Sequence, residues 1–536
     1  MSGGASPSHV QAARRARWAF FLLMPPAYGL LALVFAMDAN WDLRNYHYYN
    51  AYAFLGGREG HDLLVASVPT FFNPLLDVPF FLAAEAWPAR LVGFLLGAVQ
   101  GLNALPLFGI GYALIAAADP LRRVGIAAGF AVLGLAGAIT LSLVGTTFYD
   151  NVVTLGPLAA LCLVTGRYRS FGAAPARHAC ALALLVGALC GLAAGFKQPS
   201  AIYGVGVGAA LLVVPAFWPR RFALAAAFTL GAVAGVAVSG GWWMWHLWST
   251  LGNPMFPFYN DVFGSPMALI SDYKKVFYLP ESFWARLFFP VTYTLDPSIT
   301  SDAAFHDHRI LACFVLVPLA ALATLTQRAA APLVWPIPAR ILLVFVAATY
   351  VVWVVLFGIY RYALALEMLA PLVILACFSQ FPGGNRWRAV GAGVVILLVV
   401  ATARPVDWGR VAWADKWVRT EVKPPLDRPA DTIVLLAGHE PFGFLVPGFP
   451  PETRFLRVDG GFTTPREPEV GFNTLMRDAI ASHRGPIYVL TIPTDRRSPE
   501  ASAAAYGLVV DWSDCRVVTS TIGWMPYELC AVGRAG

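Results

Sequence analysis

The sequence predicts an all-α polytopic membrane protein with a small polar α/β domain at its C-terminal end. Three observations predict it. Of the 536 residues, 58% are hydrophobic and 13% charged, and the mean hydropathy is +0.62. A soluble globular domain is nearer half apolar and a quarter charged. Long apolar runs recur through roughly the first 400 residues, and the composition turns polar from about Arg404. The net charge of +7 would suggest nucleic acid in a soluble protein. Here the arginines fall in short loops between apolar runs, where Lys and Arg mark the inner ends of membrane helices, so no nucleic-acid partner is expected. The first apolar run has no small-residue cleavage site after it, and no cleavable signal peptide is expected.

A helix needs roughly 20 apolar residues to cross, within about 17–25. Candidate runs are Trp18–Met37, Arg90–Ala117, Val124–Thr146, Asn151–Val164, Ala179–Gly195, Ala201–Phe217 and Phe222–Trp245. After an interruption they resume at Ile310–Leu325, Ile341–Phe357, Tyr362–Phe378 and Ala389–Thr402. The run Phe71–Trp87 is borderline and carries Asp77, Glu85 and two prolines. Arg14, Arg15 and Arg17 precede the first run and predict a cytoplasmic N-terminus. If Phe71–Trp87 lies in the interface or re-enters, the clusters at Arg122/Arg123, Arg167/Arg169/Arg177, Arg220/Arg221, Arg328, Arg340 and Arg386/Arg388 all fall inside. The expectation is therefore about 11 transmembrane helices in residues 1–403 and an extracytoplasmic domain over 404–536.

The short cytoplasmic loops carry neither GxxxxGK[ST] nor a strand followed by GxGxxG. The elaborated segments lie outside: a first outer loop over 38–88, a long outer loop over 246–309, and the C-terminal domain. An enzyme working on that face draws its activated substrate from the membrane.

Four polar clusters stand at outer membrane exits. The first is Met37-Asp-Ala-Asn-Trp-Asp-Leu-Arg-Asn-Tyr-His-Tyr-Tyr-Asn50. An aromatic interfacial belt would explain its tyrosines but not Asp38, Asp42, Arg44 and His47 together. If the segment is helical, Asp42, Tyr46 and Tyr49 share one face. The second, Thr146-Thr-Phe-Tyr-Asp-Asn151, places Asp150 at a helix boundary, where an N-cap role is the plain alternative. The third carries Lys197 and Gln198, and Lys197 could simply snorkel. The fourth is Gly358-Ile-Tyr-Arg-Tyr362, with Tyr360 and Arg361. Outer cations run against positive-inside statistics, so Lys197, Arg361 and Arg309 suggest an anionic ligand such as a lipid phosphate.

These features together resemble the GT-C class of glycosyltransferases: an acidic first outer loop (Asp38, Asp42), a second acidic outer turn (Asp150), many spans and a late extracytoplasmic domain. Asn253-Pro-Met-Phe-Pro-Phe-Tyr-Asn260 and Tyr360-Arg-Tyr362 are similar to motifs of uncharacterised bacterial members. The resemblance implies a bacterial cytoplasmic (inner) membrane enzyme that moves a sugar from a polyprenyl-phosphate donor to a glycan, lipid or protein acceptor, with inversion. It implies a first-loop carboxylate as base, Asp42 or its rival Asp38. Arg44, Tyr46, Asp150, Lys197, Gln198, Arg309, Tyr360 and Arg361 are then substrate-binding candidates. His47 would position a hydroxyl or pair with Asp42. The class commonly writes its acidic motif Asp-Glu or Glu-Asp, which this chain lacks. No cofactor is expected; a divalent metal through Asp42 and Asp150 is the less favoured arrangement. A lipid or sugar transporter or flippase is the alternative; it would need midplane charges or paired repeats of broken helices, and the sequence has no clear internal repeat.

The long loop holds aromatics, prolines, Lys274, Lys275 and the triplet His306-Asp-His308; a structural or substrate-contacting role, as a lid, is expected for it. In the last domain Asp431–Leu436 and Ile487–Thr491 read as strands and Asn473–His483 as a helix. Short strands near Leu508–Asp511, Arg516–Thr519 and Glu528–Ala531 complete the layer. Five cysteines fall in apolar runs, where packing explains them. Cys515 and Cys530 flank a hairpin-like stretch turning at Gly523-Trp-Met-Pro526. Such a hairpin could bring them within the ~4.4–6.8 Å Cα separation of a disulfide.

Overall fold

Every predicted apolar run is helical in the computed structural model, which describes residues 6–274, 276–326, 332–465 and 470–535. Arg328 and Lys275 lie outside the described residues. Among the described residues six helices are long and apolar enough to cross a membrane: Ser8–Val34, Ala89–Leu114, Ala176–Phe196, Trp218–Leu251, Pro336–Leu356 and Tyr360–Phe378. The other runs give shorter or broken helices. Val124–Thr146, for example, divides into Pro120–Leu135 and Ala138–Ser142. The borderline run Phe71–Trp87 yields a ten-residue helix, Asp77–Ala86. At 1.5 Å per residue it covers about 15 Å, half of the ~30 Å hydrocarbon core, short for a single crossing helix.

Glycine ridges set the closest helix contact. Gly187, Gly191 and Gly195 recur every four residues on Ala176–Phe196, facing Gly231 and Gly235 on Trp218–Val236. A Cβ at Gly187 would lie 2.0 Å from the Phe228 carbonyl oxygen, and one at Gly231 2.0 Å from that of Leu184. Only glycine permits this approach, the usual way membrane helices gain packing without a hydrophobic driving force.

Eight strands follow in chain order: β1 (Met37–Asp38), β2 (Arg410–Val411), β3 (Thr420–Lys423), β4 (Ile433–Leu436), β5 (Arg454–Arg457), β6 (Ile487–Thr491), β7 (Leu508–Ser520) and β8 (Tyr527–Arg534). The last six form one sheet in the order β3-β7-β8-β6-β4-β5. Strand β4 runs parallel to β5 and β6, with helix Gly471–Ser482 crossing between β5 and β6; the remaining pairs are antiparallel. The two short strands expected within 508–519 are one strand with an irregularity between Asp511 and Cys515. Cys515 and Cys530 face each other across the β7–β8 ladder and are disulfide-bonded. Their Cα atoms are 3.9 Å apart, closer than the expected range.

The segment 38–88 shares a core with this sheet. β1 pairs with β2, and Trp417 Nε1 donates to the Asp38 carbonyl. Leu63 extends the β5 edge, taking the Phe455 carbonyl at 2.9 Å and accepting from Arg457 N–H at 3.0 Å. Phe80 packs edge-on against Trp417. From the long loop, Phe256 joins Phe71, Phe462 and Phe472 under the same domain.

Candidate functional site

Four separate turns bring two carboxylates and two cations together. Asp42 precedes a π-helical turn, Leu43–His47. Such i→i+5 turns are rare and frequent at functional sites. Its carboxylate accepts from the Tyr46 hydroxyl at 3.3 Å and lies 3.7 Å from Arg361 Nη2. The extra residue in the π turn carries Tyr49 off this face, and its hydroxyl bonds Asp62 instead.

Asp150 opens a one-turn helix, Asp150–Val153. Tyr149 before it takes a left-handed backbone conformation (φ 60°), an uncommon state for a bulky residue. Lys197 follows the last residue of helix Ala176–Phe196. Its Nζ lies 2.9 Å from Asp150 Oδ1 and donates to the Phe148 carbonyl at 2.7 Å. Burial holds the ammonium below its usual range, against the pull of Asp150. Arg361 sits in the short turn Tyr360–Ala363, its Nη1 3.4 Å from Asp150 Oδ2. Its guanidinium stacks 4.0 Å from the centroid of Phe148, with Trp408 at 5.5 Å. Beside Asp150 and Lys197 lies a cavity of ≈ 10 Å³ lined also by Ser200, Tyr203 and Tyr362. That is room for about one water.

His47 does not pair with Asp42. Its Nδ1 lies 2.6 Å from Asp77 Oδ1, and both side chains are buried. The ring stacks on Tyr46 and meets Tyr149 edge-on, while Nε2 is buried without a partner. Burial pushes Asp77 well above the usual carboxylate range and His47 well below 6.5. In the sequence Asp77 carries no motif and stands only as a charge interrupting an apolar run.

The structure separates the other candidates from this cluster. Asp38 is fully buried and accepts from Asn40 and Thr147 main-chain and side-chain groups, so it braces the loop rather than meeting a ligand. Arg44 is buried over Trp524, 4.3 Å from its ring, beside Tyr527, and ties the loop to the sheet domain. Gln198 is exposed and adds no ion pair among the described residues. Arg309 is fully buried elsewhere, 3.6 Å from Asp307 and bonded to the Gly134 carbonyl at 3.0 Å. Glu367 completes that second cluster by capping helix Ala138–Ser142 through the Ile139 and Thr140 N–H groups. Tyr360 is fully buried, packed against Phe305 and Tyr293. His306 exchanges backbone hydrogen bonds with Arg404, and His308 Nδ1 lies 3.1 Å from the Thr402 hydroxyl, so this triplet fastens the loop end.

The one grouping of metal-ligand types among the described residues is Cys515, Glu528 and Cys530. Its sulfurs are joined in the disulfide and offer no thiolate. Chemically, the cluster around Arg361 can accept a proton at Asp42 and hold an anion at Lys197 and Arg361. No protein-family model and no curated protein matches the chain.

Proposed function

We propose that this protein is a membrane glycosyltransferase of the GT-C type, taking its sugar from a polyprenyl-phosphate donor on the extracytoplasmic face. One observation carries the reading: Asp42 and Asp150, from two turns, share Arg361, while Lys197 pairs with Asp150. Asp42 is the more accessible acid, with its side chain 20% exposed against 5% for Asp150. It is therefore the base and Asp150 the anchor for the cations.

In this mechanism the acceptor hydroxyl gives its proton to Asp42 as its oxygen attacks the anomeric carbon. The bond from that carbon to the phosphate oxygen breaks, and the lipid phosphate leaves with the electron pair. Arg361 and Lys197 offset the charge growing on it. Attack opposite the leaving group inverts the centre. Arg361 sits at 3.4–3.7 Å from both acids, long for a charge-assisted bond, so it can turn toward a phosphate without losing a tight pair. Around this site the proposed topology has about 11 spans, with the N-terminus in the cytoplasm and the C-terminal domain outside.

Mass spectrometry of lipid-linked sugars and surface glycans, with and without the protein, tests the reading. Asp42→Asn should abolish the glycosylated product and leave insertion intact. Lys197→Ala should also weaken donor use, since it removes ground-state and transition-state contacts together. Wild-type product from Asp42→Asn would overturn the assignment. A changed distribution of lipid-linked sugar across the membrane, with no transfer product lost, would favour a flippase.

A further inference from the structure

The long outer loop exposes more apolar surface than a solvated segment carries. Between Val262 and Leu295, 11 large apolar side chains are exposed among the described residues; the whole C-terminal domain, about four times longer, exposes five. Phe277 is 77% exposed, Trp284 66% and Leu295 82%. Scattered apolar residues on a soluble surface need no explanation, but a concentration of this kind marks an interaction surface.

What covers it follows from its neighbours. Phe288 packs on Phe314 of helix Arg309–Thr326, and Phe289 on Trp353 of helix Pro336–Leu356. The Tyr350 hydroxyl donates to the Arg286 carbonyl, fixing the short helix Phe283–Leu287 against the same bundle. Those two helices turn Leu319, Leu322, Val351 and Val355 outward, the residues a bilayer would cover. The exposed face of the loop thus continues the lipid-facing surface of the bundle. Trp284 lies among Phe283 and Phe288, the type of residue enriched where hydrocarbon meets headgroups.

We propose that residues 276–295 form an interfacial anchor, seated in the leaflet on the sheet-domain side with Phe277, Phe283 and Trp284 in lipid. The anchor also touches the candidate site. The Tyr278 carbonyl packs onto Gly358, three residues before Arg361, so closely that a Cβ there would lie 2.0 Å away. Lipid contact therefore fixes the depth of the Arg361 turn. This inference does not depend on the proposed chemistry.

The test uses the full chain in nanodiscs of phosphatidylethanolamine and phosphatidylglycerol. Cys162 and Cys180 are replaced by serine, and nitroxides are attached at Phe277→Cys or Trp284→Cys. Leu322→Cys serves as the lipid reference and Val509→Cys as the solvent reference, all four positions being exposed side chains. Labels at 277 and 284 should gain oxygen collisions to the level at 322 and lose the nickel-chelate collisions seen at 509. Nickel collisions equal to those at 509 would overturn the anchor. Low collisions with both reagents would overturn it too, showing a protein surface such as a second copy over the face.

Discussion

At the scale of single residues, Asp42 and Asp150 share one guanidinium, while Asp38 is held by Asn40 and Thr147. A cation at a predicted outer turn points, by sequence, to an anionic ligand. Lys197 and Arg361 do converge with Asp42 and Asp150, but Arg309 spends its charge on Asp307, two positions away. Spacing could not separate these cases, because each cation has a protein carboxylate within reach and only the fold decides which pair is walled in. Asp38 and Asp42 looked interchangeable for the same reason. They are not: Asp38→Asn disturbs buried hydrogen bonds to Asn40 and Thr147 and should cost about 1–3 kcal/mol of stability. Asp42→Asn should leave the melting temperature near that of the parent and remove product formation. Equal melting losses for the two variants would contradict this division.

The His47–Asp77 pair makes a pH prediction. In the unfolded chain His47 protonates near 6.5 and Asp77 near 3.8. Folding lowers the first and raises the second, so the two act in opposite senses: as pH falls, the lowered His47 costs stability and the raised Asp77 adds it, and in the parent they offset one another. Asp77→Asn leaves His47 alone beside Tyr46, Tyr149, Lys197 and Arg361. The unfolded chain then binds the extra proton as pH falls below 6.5, and stability drops until the folded value is passed. Melting of the detergent-solubilised variant from about pH 7 down to 5 should show an acid loss that the parent lacks. Parallel curves for the two proteins would refute it.

Among elements, the apolar runs were legible because 20-residue hydrophobicity is a strong signal. Strands β4 and β6 are legible as short apolar runs with β-branched residues between turn residues, and β8 as a short run beyond the turn at Gly523-Trp-Met-Pro526. Strands β3 and β5 are not, since Thr420-Glu-Val-Lys423 and Arg454-Phe-Leu-Arg457 carry the charges of edge strands and gain their pairing from partners distant in sequence. The π turn was equally hidden. Its spacing departs from the helical face that placed Asp42, Tyr46 and Tyr49 together, and nothing local announces it. The β7–β8 hairpin is the element most open to test. Its disulfide closes a loop of 15 residues, which stabilises the folded hairpin by about 3 kcal/mol in the chain-entropy model. Cys515→Ser should lower the melting of the sheet domain accordingly. Alkylation of the denatured, unreduced parent should leave both positions unlabelled; labelling there would contradict the bond.

On the scale of the whole molecule, the boundary near Arg404 divides the chain by composition but not by packing. Trp408 stacks against Phe148 and donates to the Ser142 hydroxyl, and Arg410 bonds the carbonyls of Ala36, Ser142 and Val144. A chain ended at residue 403 keeps every acid and cation of the candidate site yet should not assemble it. Limited proteolysis of such a truncation should cut within 38–88 where the parent resists, and equal resistance would count against the shared core. The proposed topology is checked separately: a reporter active only in the cytoplasm, fused after Gly536, should stay silent. Gly536 itself lies outside the described residues. The pairing of Met37–Asp38 with a segment near residue 410 also sets a schedule for biosynthesis. Trp417 reaches the Asp38 carbonyl across 379 residues, and β1 waits for β2 over nearly the same interval. At ~5–20 residues per second, the ribosome needs roughly 20–75 s to supply that partner. Through that interval the loop bearing Asp42 emerges, stays without its sheet, and must be kept from wrong partners, so the site is among the last parts of the newborn chain to take shape.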